Sequence, residues 1–218
     1  MAKQLGPVCR LCRREGEKLY LKGERCFTPK CAVERRAFPP GQHGKTAGRG
    51  GRGGSRTGES DFARQLRAKQ KARRVYGVFE RQFRRYYETA LGRRGLTGLN
   101  LLQILESRLD NVVFRLGFAS SRAEARMLVT HGHFMVNGRR TDVPSMLLKE
   151  GDQITIRAGS DDLTYFKNLP VLAEKRTSPA WLNRDAKSLT GSVSRMPDRP
   201  EIEGTLSEQL IIEYYSRR

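Results

Sequence analysis

Acidic residues are scarce in the first half of this 218-residue chain. Residues 1–95 carry 8 Asp and Glu against 25 Lys and Arg, while residues 96–218 carry 15 against 17. The formal net charge is +19 and the pI about 10.5. Such an imbalance repels itself on compaction unless a polyanion offsets it, so nucleic acid or an anionic membrane is the expected partner. Long apolar runs are missing: none approaches the roughly 18 residues that a membrane span needs. Residues 1–7 contain no apolar core, so no signal peptide is expected. The single tryptophan, Trp181, lies far from the basic region, which argues against a basic amphipathic membrane anchor. A cytoplasmic protein without a membrane partner is the expectation. Histidine is also rare, with three in the chain, which leaves little for general acid–base chemistry. No Gly-x-Ser-x-Gly elbow is present. Gly44-Lys45-Thr46 looks like the end of a phosphate-binding loop, but the earlier glycine position holds Pro39 and no apolar strand precedes it. An enzyme is not expected.

Arginine is abundant, with 31 against 11 lysines. Its planar fork suits bidentate phosphate contact and stacking, whereas lysine is a point charge. Residues 37–58 hold 8 of the 22 glycines, four basic residues and no acid. This segment cannot bury a core, and it reads as an arm that orders on a phosphate backbone.

All four cysteines lie in the first 36 residues, as Cys9-x2-Cys12 and, after thirteen residues, Cys26-x4-Cys31. Two close pairs joined by a short loop suit a tetrahedral four-thiolate metal site. Two disulfides are the alternative, disfavoured by the expected reducing compartment. Zinc is the first choice, and an iron–sulfur cluster accepts the same ligands. Four thiolates leave no open position, so the role is structural.

Ser60 offers an N-cap, and 61–91 has no proline and one glycine, Gly77, so one long or two consecutive helices are expected. Leu66, Val75, Val78, Phe79, Phe83, Tyr86 and Tyr87 read as a core stripe. Few acids are in reach of Arg73, Arg74, Arg84 and Arg85, which makes them candidate phosphate contacts. Further on, Leu109, Val112, Val113 and Leu116 fall on one helix face, with Arg108, Asn111 and Arg115 on another. Gly117 stops that helix. Ser121 with Glu124 forms a capping box, and Arg122 and Arg126 lie one turn apart on the helix that follows. A short strand at 134–136, Asn137-Gly138 and then Arg139-Arg140 signal a hairpin. Residues 153–157 alternate as a further strand. The pattern is weak between 161 and 199. Residues 206–215 read as an amphipathic helix through Leu206, Leu210 and Tyr214.

Ser107-Arg108-Leu109-Asp110-Asn111-Val112, Ser121-Arg122-Ala123-Glu124-Ala125-Arg126 and His131-Gly132-His133-x-x-Val136-Asn137-Gly138 resemble an RNA-binding module. It is the one named after bacterial small-subunit ribosomal protein four. The module also occurs in pseudouridine synthases and tyrosyl-tRNA synthetases. The flanks are similar to the ribosomal protein family itself: Phe38-Pro39-Pro40-Gly41-Gln42-His43-Gly44, Gln82-Phe83-Arg84-Arg85-Tyr86-Tyr87 and Glu208-Gln209-Leu210-Ile211-Ile212-Glu213-Tyr214-Tyr215-Ser216. The resemblance runs along essentially the whole chain, in the four-cysteine form of the family. A pseudouridine synthase would need a catalytic domain, and only about 60 residues follow the last clear strand. A DNA-binding regulator built on a four-cysteine finger is the other alternative, and the reader module favours folded RNA.

The resemblance implies an α+β fold. A mostly helical N-terminal domain (1–96) carries the metal knuckle, and the C-terminal segment (197–218) packs back on it. A small α+β domain with an antiparallel sheet (97–196) holds the RNA-binding module, 107–168. The implied function is binding of the 5′ domain of 16S rRNA and nucleation of the body of the 30S subunit. Contact with small-subunit protein five, a place near the mRNA entrance and an influence on translational accuracy are implied as well. Some family members repress their own mRNA. The implied metal ligands are Cys9, Cys12, Cys26 and Cys31. Charge and helix placement make Arg73, Arg74, Arg84, Arg85, Arg108, Arg115, Arg122 and Arg126 the expected phosphate contacts; Arg49, Arg52, Arg56, Ser121, His131, His133, Asn137, Arg139 and Arg140 complete the expected rRNA-binding set, although composition alone reads His131 and His133 as turn residues.

Overall fold

The structure is a computed structural model describing residues 4–45, 60–174, 176–185 and 188–217. Arg49, Arg52 and Arg56 lie outside the described residues. The chain divides into two units, 1–88 with 205–218, and 89–204. Boundaries were expected after residues 96 and 196. The first observed boundary falls inside a continuous helix, where no glycine or proline marks it. The second is displaced because residues 197–203 are tied into the second unit. Gln103 Nε2 donates to the Pro197 carbonyl (3.0 Å) and Arg122 Nη2 to Glu203 (3.3 Å).

In the first unit, helices α1 (Cys9–Glu15) and α2 (Ala32–Arg35) flank a 3-10 turn, Gly23–Phe27. Helix α3 (Asp61–Val75) starts where the cap was expected, with Ser60 Oγ accepting from the Ala63 N–H at 3.2 Å. It ends at Gly77, whose φ of +64° breaks the run. Helix α4 (Glu80–Leu91) follows, so residues 61–91 form two helices. Val75, Val78, Phe83 and Tyr87 are buried as the core stripe requires; Phe79 is exposed and Tyr86 half-buried. After a long gap in sequence the chain returns, and its last helix (Glu208–Ser216) packs on α3. Tyr215 stacks on Tyr87, with centroids 4.7 Å apart.

A polar clasp fixes this packing. Glu80 accepts from the buried Lys69 Nζ at 2.9 Å and from Tyr215 Oη at 2.8 Å. Burial alone would push the Glu80 carboxyl up, but these two hydrogen bonds and the charges of Lys69 and Arg73 hold it below its ordinary 4.5. A carboxylate with a depressed folded value stabilises above its unfolded value, and that contribution is lost as pH falls through the folded one. Glu80→Gln should therefore flatten the loss of stability below pH 4.5 in acid titrations of unfolding. Tyr215→Phe should cost about 1–2 kcal/mol in urea unfolding.

The second unit begins with α5 (Thr97–Glu106), α6 (Leu109–Arg115) and α7 (Arg122–Thr130). Gly117, at φ +81°, ends α6 as expected. Ser121 Oγ accepts from the Glu124 N–H at 3.3 Å, and Glu124 reaches back to the Ser120 N–H at 2.6 Å, one residue earlier than in the usual box. The strands β1 (Phe134–Val136), β2 (Arg139–Thr141) and β3 (Gln153–Ile156) follow, then α8 (Thr164–Glu174), β4 (Leu182–Asp185) and β5 (Thr190–Val193). The helix Glu208–Ser216 of the first unit is then α9. The sheet order is β2-β1-β3-β5-β4, antiparallel throughout. Val136 pairs with Arg139, so Asn137 and Gly138, both at positive φ, form the tight turn that the sequence signals.

Strands β4 and β5 were not legible. They are four residues each, with Arg184 and Asp185 inside one and Gly191 inside the other, so neither shows hydrophobic alternation. Their Leu182 and Val193, with Leu189 and Trp181, join the same core as Leu109, Val112, Val113, Leu116, Phe118, Phe134 and Ile154. Ala125, Leu128 and Val129 of α7 are buried.

Candidate nucleic-acid interface

The four cysteines are free thiols. Helix α1 places Cys9 and Cys12 one turn apart, Cys26 sits in the 3-10 turn and Cys31 caps α2. All but Cys9 are buried. The Lys22 N–H donates to Cys26 Sγ at 3.4 Å. Burial pushes the Cys12 thiol up; Cys26, Cys9 and Cys31 push the same way, against a backbone hydrogen bond at Leu19. Four sulfur donors are nonetheless the type that suits a soft divalent cation. Yet among the described residues no three Cys, His, Asp or Glu side chains are grouped as a ligand set. The described side-chain geometry therefore lends the four-thiolate knuckle no support.

The arginines find far more acids than local sequence suggests. Arg73 pairs with Glu80 (3.7 Å), Arg84 with Glu88 (3.2 Å), and Arg74 with Glu15, which Arg67 also approaches at 3.4 Å. Glu15 comes from α1, more than fifty residues away. Burial pushes its carboxyl up even with Arg74 and Arg67 beside it, and pulls the Arg74 guanidinium down. This pair carries the desolvation cost of a buried ion pair. Arg81, Arg84 and Arg85 remain on the exposed side of α4.

The reader module holds a second network. Arg108 has 0% of its surface exposed. Its Nε and Nη2 grip the two oxygens of Asp110 at 3.0 and 2.7 Å, and Arg126 Nη1 adds a third bond to Asp110 at 2.9 Å. The buried Glu106 accepts from Arg115 through Nη2 (2.7 Å) and Nε (3.0 Å) and from Asn111 Nδ2 (2.6 Å). Asn111 Oδ1 in turn accepts from Arg122 Nε at 2.8 Å. Arg122 also lies over the Phe114 ring, 4.7 Å from its centroid. Arg108 was expected at a phosphate; its enclosure makes it an internal strut. Arg115, Arg122 and Arg126 are half-buried, with their forks turned toward these acids. Ser121 is buried as a cap.

The hairpin side is different. His131, Asn137, Arg139 and Arg140 are exposed. Gly132 has φ +73°, and a Cβ there would lie 2.6 Å from Arg140 Nε, so only glycine lets that arginine lie across the turn. Asn137 is partly committed to structure, donating to Asp152 (2.8 Å) and accepting from the Gln153 N–H (2.9 Å). His133 bonds Ser160 through Nδ1 (3.1 Å) and packs on Phe166. Burial first, then His131 and Arg157, lower its pKa.

A family model described as "Ribosomal protein S4/S9 N-terminal domain" matches residues 3–106, and one described as "S4 domain" matches 107–154. The small ribosomal subunit protein uS4 of Natranaerobius thermophilus is 54% identical over 217 residues, covering all of both chains. The chain belongs to the small ribosomal subunit protein uS4 family. The uS4A protein of Symbiobacterium thermophilum (55%) and the uS4 protein of Heliobacterium modesticaldum (53%) match over the same full lengths. In uS4 terms, Arg108, Asp110, Asn111, Arg115, Arg122 and Arg126 fall within the S4 domain match, Glu106 is the last residue of the N-terminal match, and β4 and β5 lie beyond both. Sequence reasoning missed one basic cluster. Arg13, Arg25, Lys30, Arg35 and Arg36 line an open cavity of about 380 Å³ beside the cysteines. Their irregular spacing gives no periodic signal; local charge density was the only cue.

Proposed function

We propose that this chain binds the 5′ domain of 16S rRNA as a constituent of the small ribosomal subunit, and that binding nucleates the subunit body. Full-length family membership carries this reading. It is a ribosomal structural protein, not an enzyme, and its place is on the ribosome in the cytoplasm. The exposed arginines of α4 and the hairpin support backbone contact, with Arg49, Arg52 and Arg56 of the Gly/Arg arm proposed alongside. Small-subunit protein five and mRNA near its entrance are the proposed neighbours, through which the chain influences translational accuracy. Repression of its own mRNA is the proposed regulatory role.

We further propose that Cys9, Cys12, Cys26 and Cys31 hold zinc. The metal would supply a structural crosslink to a segment too basic and too small to fold on a core. Visible absorption together with metal analysis distinguishes zinc from an iron–sulfur cluster.

Salt dependence tests the contact assignments. Filter binding to a 5′-domain fragment across a salt series should lose about one unit of log–log slope in each of Arg85→Ala, Arg139→Ala and Arg140→Ala. Arg108→Ala should leave the slope unchanged while lowering stability. Equal affinity for duplex DNA at fixed salt would reject the rRNA reading.

A further inference from the structure

Two aromatic rings on the cysteine-bearing segment belong to neither core. Phe27 is 74% exposed and Tyr20 40%. They stack on each other with centroids 5.0 Å apart and planes 29° from parallel. Tyr20 holds φ at +51°, a left-handed conformation uncommon for a bulky side chain. Such strain is generally kept where it serves a function. Here it holds a ring at the surface, where burial returns little. Arg25 and Lys30 flank Phe27 in sequence, are exposed, and help line the open cavity with Arg13, Arg35 and Arg36. No carboxylate is among the residues lining it.

We propose that the Tyr20–Phe27 pair is a stacking platform for one unpaired nucleobase, with the neighbouring phosphates held by the cations of that cavity. The inference rests on the rRNA-binding reading and names the kind of RNA this segment takes: an unstacked nucleotide in a loop or bulge. Bases within an A-form duplex are out of reach of an aromatic face, whereas splayed bases stack on one. A phenyl ring makes no hydrogen bond, so the platform is indifferent to base identity. The cationic surroundings favour a nucleotide over an apolar protein partner, which would leave these charges desolvated and uncompensated.

The test titrates the full-length chain into a single-stranded oligoribonucleotide carrying one 2-aminopurine, at fixed salt. The native chain should quench its fluorescence by stacking. Phe27→Leu keeps an apolar contact for Tyr20 but removes the ring; it should abolish the quench and weaken binding about 5- to 150-fold, the loss expected for one base–aromatic stack. Phe27→Trp should retain the quench. An oligonucleotide with an abasic site at the same position should bind the native chain about as weakly as the intact one binds Phe27→Leu. Undiminished quenching by Phe27→Leu, or equal affinity of the native chain for abasic and intact strands, would overturn the platform and leave the rings to a protein contact. Filter binding to the 5′-domain fragment separates the two readings. If the native chain binds the fragment and does not quench the probe, the platform alone fails; if it binds neither, both fail.

Discussion

Replacing Asp110 by alanine is expected to destabilise the second unit by about 3–5 kcal/mol, the cost of removing one partner from a buried ion pair. Asp110 holds the wholly enclosed Arg108 through two hydrogen bonds and Arg126 through a third. Without the carboxylate, a guanidinium with 0% exposure keeps its charge but loses the group that offsets it. Urea unfolding followed by fluorescence reads this directly, because the chain's one tryptophan, Trp181, lies in the same core. Adding Arg108→Leu to Asp110→Ala should recover much of the loss, since an apolar replacement of a whole buried pair is often neutral. A small effect for Asp110→Ala, within about 0.5 kcal/mol as at an ordinary surface site, would mean that Arg108 is not held as an enclosed pair in solution.

Removing the proposed zinc is expected to act on the other unit. Structural zinc contributes about 10–16 kcal/mol of apparent binding free energy in small finger peptides, most of which appears as folding. A chelator should therefore expose the first 36 or so residues to trypsin, which has Arg10, Arg13, Arg14, Lys18, Lys22, Arg25, Lys30, Arg35 and Arg36 to cut there. The α3–α4–α9 core should stay protected. Because thiols must lose protons to bind, metal retention should weaken as pH falls. Affinity for the 5′-domain fragment should drop with the loss of the basic cluster. A metal-free chain with native trypsin resistance and full RNA affinity would refute the zinc assignment.

Much of the fold was legible because its signals are local. Ser60 and Ser121 start helices, Gly77 and Gly117 stop them, and Asn137-Gly138 turns a hairpin; each depends on residues within one turn. The site was legible in outline only. In the first unit Arg73 and Arg74 pair with Glu80 and Glu15; in the second, Arg108, Arg115, Arg122 and Arg126 pair with Asp110, Glu106 and Glu203. Several of those acids lie on other helices, where sequence distance says nothing. Counting acids along the chain misjudged which arginines are open to phosphate. Arg108, central to the motif, is the most enclosed, while Arg139 and Arg140, after a short strand, are exposed.

The sequence by itself determined the charge asymmetry, the helix starts and stops, the hairpin turn and the family. Composition, caps and tight turns are written in neighbouring residues. Only the tertiary structure decided that β4 and β5 extend the sheet, that Tyr215 returns to lock Glu80, and that Arg74, Arg108, Arg115, Arg122 and Arg126 are spent on internal acids. Those outcomes depend on which distant groups share a low-dielectric interior, where an unmatched charge costs several kcal/mol.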